Sequence, residues 1–127
     1  MSPRTGRVRP IGGPAAVVAG LHRWIDDHDP HVQAAIWLLL AHEVWPRRAD
    51  FRQACVHHSP DGGWWIDFRA ARIAFDNGAF DTAASTELAV LDLAITLGTD
   101  RFRFRAMGPG NARAVATAVA HAVGTDR

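Results

Sequence analysis

The stretch PHVQAAIWLLLAHEVW, residues 30–45, decides how the fold is read. Pro30 suits a first helical position, because the N–H it lacks has no helical partner there, and Asp29 before it is a favourable N-cap. Val32, Ile36, Leu39 and Leu40 follow at helical spacing as one apolar stripe. Ala34, Trp37, Leu38, Ala41 and Trp45 form a second stripe on nearly the opposite side. A helix apolar on two sides is buried on two sides. Either it is the central helix of the domain, or it packs inward with one face and against a second protomer with the other. In the second case Ala34, Trp37, Leu38, Ala41 and Trp45 are an interface. Pro46 stops the helix, and Arg47 and Arg48 suit its negative end.

Toward the N-terminus, Pro14 opens a first helix carrying Val17, Val18, Leu21, Trp24 and Ile25, which ends within residues 26–29. The residues before it, 1–13, hold Arg4, Arg7 and Arg9 among Gly and Pro and read as a flexible arm. Toward the C-terminus, residues 50–56 read as a strand. Ser59-Pro60-Asp61-Gly62 is a strong turn signal, and the chain returns through Trp64, Ile66 and Phe68, so a hairpin is expected over 51–68. The spacing of Phe68, Ala71 and Phe75 favours a short helix over 69–77, with a strand as the weaker alternative. Ser85 is placed as the cap of a helix running to Leu97, with Gly98 as its terminator.

Arg101-Phe102-Arg103-Phe104-Arg105 alternates with period two, the pattern of a half-buried strand with its phenylalanines inward and its arginines outward. Asn111 is read as the cap of a last helix that packs Val115, Val119 and Ala122, turns Arg113, Thr117 and His121 to water, and closes at Gly124. The fold class expected is α+β. A small antiparallel sheet of about three strands packs with four to five helices in the order α-α-β-β-(α)-α-β-α. One domain spans 14–124, and a short tail covers 125–127.

Bulk composition narrows the function classes. At 127 residues the chain has the length of one domain. All 14 basic residues are Arg, Tyr is absent and Trp occurs five times, which with abundant Ala fits a GC-rich bacterial gene. A net charge of +1 argues against a strongly basic nucleic-acid coat. The single Cys55 excludes an intramolecular disulfide and any multi-Cys zinc site. Neither a signal-peptide pattern nor an apolar run of the ~20 residues that span a bilayer is present, so a cytoplasmic protein without membrane contact is expected.

The densest polar cluster is His57, His58, Asp61 and Asp67 around the hairpin, residue types suited to a divalent ion or to acid–base work. Adjacent strand residues point to opposite faces, however, so His57 and His58 do not chelate one ion in a regular strand. A second cluster, Asp26, Asp27, His28, Asp29 and His31, lies between the first two helices. Capping accounts for Asp29 without a metal. His31 and His42 are about 16 Å apart along the helix and do not share an ion. His42-Glu43 matches the start of a zinc-protease helix, but Pro46 stands where the second His is required. Cys55 and His57 would share a strand face, yet a small buried thiol is by far the commoner reading of Cys55. No phosphate-binding loop and no nucleophile elbow frames any Gly or Ser. Gly108-Pro109-Gly110 could seat an anion at a helix start, although Asn111 supplies an ordinary cap.

These readings lead to one expectation and two alternatives. The expectation is a non-catalytic interaction or regulatory module without a cofactor, a homodimer or the binder of a protein partner through helix 30–45. The first alternative is nucleic-acid binding by Arg101, Arg103 and Arg105 with the N-terminal arm. A helix-turn-helix mode is disfavoured, because helix 30–45 offers Trp37, Leu38 and Trp45 where a recognition helix needs polar and basic side chains. The second alternative is a metal-dependent enzyme at His57, His58, Asp61 and Asp67.

Overall fold

The computed structural model describes residues 12–125. Its elements in chain order are α1 (Pro14–Trp24), α2 (Pro30–His42), α3 (Ala49–Cys55), β1 (Val56–His58), β2 (Trp64–Ile66), α4 (Phe68–Asp76), α5 (Ser85–Gly98) and α6 (Pro109–Val123). Short 3-10 turns occupy Ile25–Asp27, Trp45–Arg47 and Phe104–Met107. The α+β class holds, with a two-stranded antiparallel sheet as the only sheet among the described residues. Of the expected arm and tail, residues 1–11, 126 and 127 lie outside the described residues.

The antiparallel pair α2 and α5 forms the spine. His31 Nδ1, at the start of α2, donates to the Leu97 carbonyl near the end of α5 over 3.2 Å. Trp45, just past α2, donates its indole N–H to the Glu87 carbonyl in the first turn of α5 over 3.1 Å. Ala35, Ile36, Leu39 and Leu40 of α2 and Leu91, Ala94 and Ile95 of α5 are buried together with Val17 and Leu21 of α1. At one end the rings of Trp45, Phe51 and Phe80 close a cluster, with the Trp45 and Phe80 centroids 5.4 Å apart edge to face. Such offset geometry is the favoured one for aromatic quadrupoles.

Helix α2 resolves its own ambiguity. It stops at His42, three residues short of expectation, with Glu43 in the left-handed conformation at φ 63° and its N–H on Leu39 O. The second apolar stripe therefore divides. Trp45 is fully buried, so it belongs to the core and not to an interface, whereas Trp37 is 60% exposed. Ala34 and Leu38 are half-buried and Ala41 is exposed.

Two sequence expectations fail for physical reasons. Residues 50–56 are mostly helix α3, because Phe51 and Cys55 stand at i and i+4 and both enter the core, a helical period that a reading by alternation missed. Arg48 and Asp50 fix its start: the guanidinium donates to both carboxylate oxygens at 3.0 and 2.7 Å, and Oδ1 also accepts the Phe51 N–H. The hairpin survives in shortened form, with Val56 opposite Ile66, His57 opposite Trp65 and His58 opposite Trp64. The third strand, expected at 101–105, does not form. The chain leaving α5 wraps over its end through Asp100 N–H to Leu97 O and Arg101 N–H to Thr96 O, and Asp100 and Arg103 are left-handed at φ 56° and 48°. A period-two pattern makes a strand only where a neighbouring strand takes its hydrogen bonds.

Smaller boundaries shift as well. Residues 69–76 are helical, as favoured, with Asn77 as the C-cap, and Asp67 caps α4 by accepting the Ala70 N–H at 2.9 Å. Ser85 is the first residue of α5 and not its cap; Glu87 reaches back to accept the Ala84 N–H at 3.0 Å. Gly98 is the last helical residue, and what demands glycine there is space, since a Cβ would collide with the Phe68 ring. Gly20 plays the same part in α1 beneath the Trp64 indole. Helix α6 starts at Pro109, and Asn111 sits in its first turn, donating to Met107 O.

The Arg48–Asp50 pair gives a pH prediction. The guanidinium hydrogen bonds hold the Asp50 carboxyl below its ordinary 3.8. A depressed folded-state value means that the stabilisation is present above the ordinary value and disappears as pH falls through the folded one. Asp50→Asn is expected to cost about 1 kcal/mol at neutral pH, a modest figure because the pair is partly solvated. In urea titrations the difference from the parent should shrink on acidification. An equal difference at neutral and strongly acid pH would exclude the charge as its source.

Candidate functional site

The hairpin cluster does not assemble. His57 lies flat on Trp65, ring centroids 4.4 Å apart, and His58 lies flat on Trp64 at 4.3 Å. These are cross-strand pairs on opposite faces of the ribbon, as the alternation of strand side chains requires. Asp61 is spent on the turn. It accepts the Ser59 hydroxyl at 2.7 Å and the Gly63 N–H at 3.2 Å, and the hydroxyl bond chiefly holds its carboxyl below the usual range. Asp67 caps α4. No group of three His, Cys, Asp or Glu among the described residues is placed to hold a metal ion. Cys55 is fully buried and donates to Phe51 O, and desolvation raises its pKa far above that of a free thiol, which makes it an inert core residue.

What the fold brings together is a member of one polar cluster with two of the other. A cleft of about 430 Å³ is lined by His28 and His31, by Trp65 and Ile66 of β2, by Asp67, Phe68 and Arg69 at the start of α4, and by Gly98 and Thr99 at the end of α5. Both imidazoles are half-buried and oriented from outside the cleft: His28 Nε2 faces Trp64 O at 3.4 Å and His31 Nδ1 faces Leu97 O at 3.2 Å. A carbonyl only accepts, so each of these nitrogens carries the proton. Asp29, expected as the α2 cap, makes no side-chain cap bond and lies 3.9 Å from His31 Nε2. Arg69 and Thr99 were not singled out in the sequence; no motif marks them, because only the α4–α5 packing places them beside the histidines.

Two exposed surfaces stand apart from the cleft. On α2, Pro30, Ala34, Trp37 and Ala41 follow at i, i+4, i+7 and i+11, and all four are exposed or half-buried. Helix α6 contains no buried residue; Val119 is 51% and Val123 65% exposed, so the expected packing of Val115, Val119 and Ala122 does not occur. Leading into it, Arg101, Arg103 and Arg105 are exposed and make no ion pair among the described residues.

Charge is segregated along the chain, which the net value of +1 conceals. Residues 12–100 carry six Arg against twelve Asp and Glu, a net of −6. Residues 101–125 carry four Arg and no acid, a net of +4, and residues 1–11 carry three Arg and no acid. No described helix is long and apolar enough to cross a membrane. No protein-family model, curated protein or solved structure matches the chain.

Proposed function

We propose that the chain is a non-catalytic interaction module that self-associates through the outer face of α2. The observation behind this reading is Trp37, which is 60% exposed on the spine helix. An indole carries the largest apolar payload of any side chain and is the residue type most often dominant at protein interfaces. Ala34 and Ala41 flank it at i−3 and i+4, so the face offers one large knob between two small residues. Such a face is self-complementary across a two-fold axis: each indole rests over an alanine of the opposite copy, and the two helices approach closely. Leu38 borders this patch, and Trp45 takes no part in it. Sedimentation equilibrium over the micromolar range tests the reading. A concentration-dependent dimer is expected, and a strict monomer throughout would remove it.

A second reading is supported by the charge segregation. Arg101, Arg103, Arg105 and Arg113 precede or occupy a helix with no buried residue, beside a Phe102 that is 51% exposed. Unpaired guanidinium groups with an exposed ring are the elements of a phosphate-tracking surface. This reading expects duplex DNA to bind with steep salt dependence. Changing Arg101, Arg103 and Arg105 together to Gln should flatten the log–log salt slope by about 2–3, since each lost phosphate contact removes ~0.9. An unchanged slope, or no binding at low salt, would dispose of it.

A further inference from the structure

Four of the six arginines of the acidic body, residues 12–100, are engaged. Arg47 pairs with Glu43, Arg48 with Asp50, and Arg72 with Asp76 and Asp92, while Arg52 donates to Pro46 O. Arg23 and Arg69 alone among these six have no such side-chain partner, and of the two only Arg69 lines a cleft. In a body of net charge −6, the cleft holds one guanidinium against one carboxylate, so it is locally neutral and offers a cation that no side chain pairs. The one carboxylate in the lining, Asp67, has its Oδ1 committed to the Ala70 N–H.

The remaining lining has the composition of a small-molecule site, an apolar wall with few polar groups. Val32, Ile66 and Phe68 supply aliphatic and aromatic surface, and Trp65 is 40% exposed with His57 stacked on its ring. His28 and His31 each use one ring nitrogen on a backbone carbonyl; the second nitrogen of His31 lies 3.9 Å from the Asp29 carboxylate, and that of His28 keeps no such partner among the described residues. In the neutral imidazole that second nitrogen is an acceptor, and the carbonyl bond fixes which one it is. We propose that this cleft binds a small planar carboxylate that also carries an O–H or N–H donor. The carboxylate meets the Arg69 fork, the flat body lies against Trp65, and the donor is received by His28 Nδ1. A single guanidinium suits a monoanion and not a polyphosphate, which requires several cations or a backbone cradle.

The test titrates the full chain with 4-hydroxybenzoate, read by calorimetry and by the imidazole resonances of His28 and His31. A ligand of this size is expected to bind with a Kd on the order of millimolar or below. Arg69→Gln should weaken it at least tenfold, and Arg23→Gln, which removes the other unpaired guanidinium, should leave it unchanged. Phenol, lacking the carboxylate, and benzoate, lacking the donor, should each bind more weakly. His28→Ala together with His31→Ala should lower the affinity for 4-hydroxybenzoate toward that of benzoate. No saturable shift with 4-hydroxybenzoate, equal affinity for phenol, full competition by inorganic phosphate alone, or an Arg69→Gln variant that binds as the parent does would each overturn the assignment.

Discussion

Trp45→Ala is expected to destabilise the domain by about 3–5 kcal/mol, the range for emptying a buried aromatic site. The indole is fully buried, and it is the hub of the Trp45, Phe51 and Phe80 cluster. Removing it opens a void that Phe51 and Phe80 fill only partly, because both are anchored on other elements. It also removes the donor to Glu87 O, which joins the end of α2 to the start of α5, and the ring over which Arg48 lies at 5.0 Å. Domains of this size have a total stability of about 5–15 kcal/mol, so the variant should keep at best a narrow margin. Thermal melting should fall by on the order of 15 °C. Trp45→Phe separates the parts: it keeps a ring in the cluster and loses the N–H, and is expected to cost about 1–2 kcal/mol. A Trp45→Ala variant that melts with the parent would show that this cluster is not the closing core of the fold.

The second large effect falls on association and not on stability. Trp37→Glu places a charge where self-association would bury an indole, and an interface anchor of this kind contributes about 2–4 kcal/mol. Dimer dissociation should therefore strengthen by roughly 30- to 900-fold, which turns a micromolar dimer into a monomer at ordinary concentrations. Because Trp37 is 60% exposed, the fold itself should be untouched, and the variant's circular dichroism and melting at low concentration should match the parent's. Ala41→Glu on the same stripe should act in the same direction. If Trp37→Glu leaves the sedimentation profile unchanged, the outer face of α2 is not the contact. A variant that both dissociates and unfolds would instead show the indole to be structural.

The polar residues show where sequence reasoning stops. The opposed faces of His57 and His58 follow from strand geometry alone, and the His–Trp stacks agree with it. Asp29 was assigned a capping duty, yet its side chain makes no cap bond, while Asp67, assigned a possible chemical one, is the cap of α4. The cleft draws His28 and His31 from one stretch of sequence, Asp67 and Arg69 from another, and Thr99 from a third. Nothing in their spacing announces that meeting. It results from α2 and α5 lying antiparallel, with α4 laid across the end of α5 where Gly98 admits the Phe68 ring.

From residues 30–45 the sequence by itself determined that α2 would be buried by more than one neighbour, since its apolar residues circle most of the helix. Four other helices, the hairpin and its turn were likewise legible, because caps, breakers and periodicity are local properties. Only the tertiary structure decided which apolar residue was core and which was surface. Trp37 and Trp45 belong to one stripe in the sequence, but the left-handed turn at Glu43 swings Trp45 inward onto Phe80 and leaves Trp37 in water. The same holds for Arg101–Arg105 and for α3. An alternating or apolar pattern states what a segment can bury, and the neighbours that hydrogen-bond and cover it decide what it becomes.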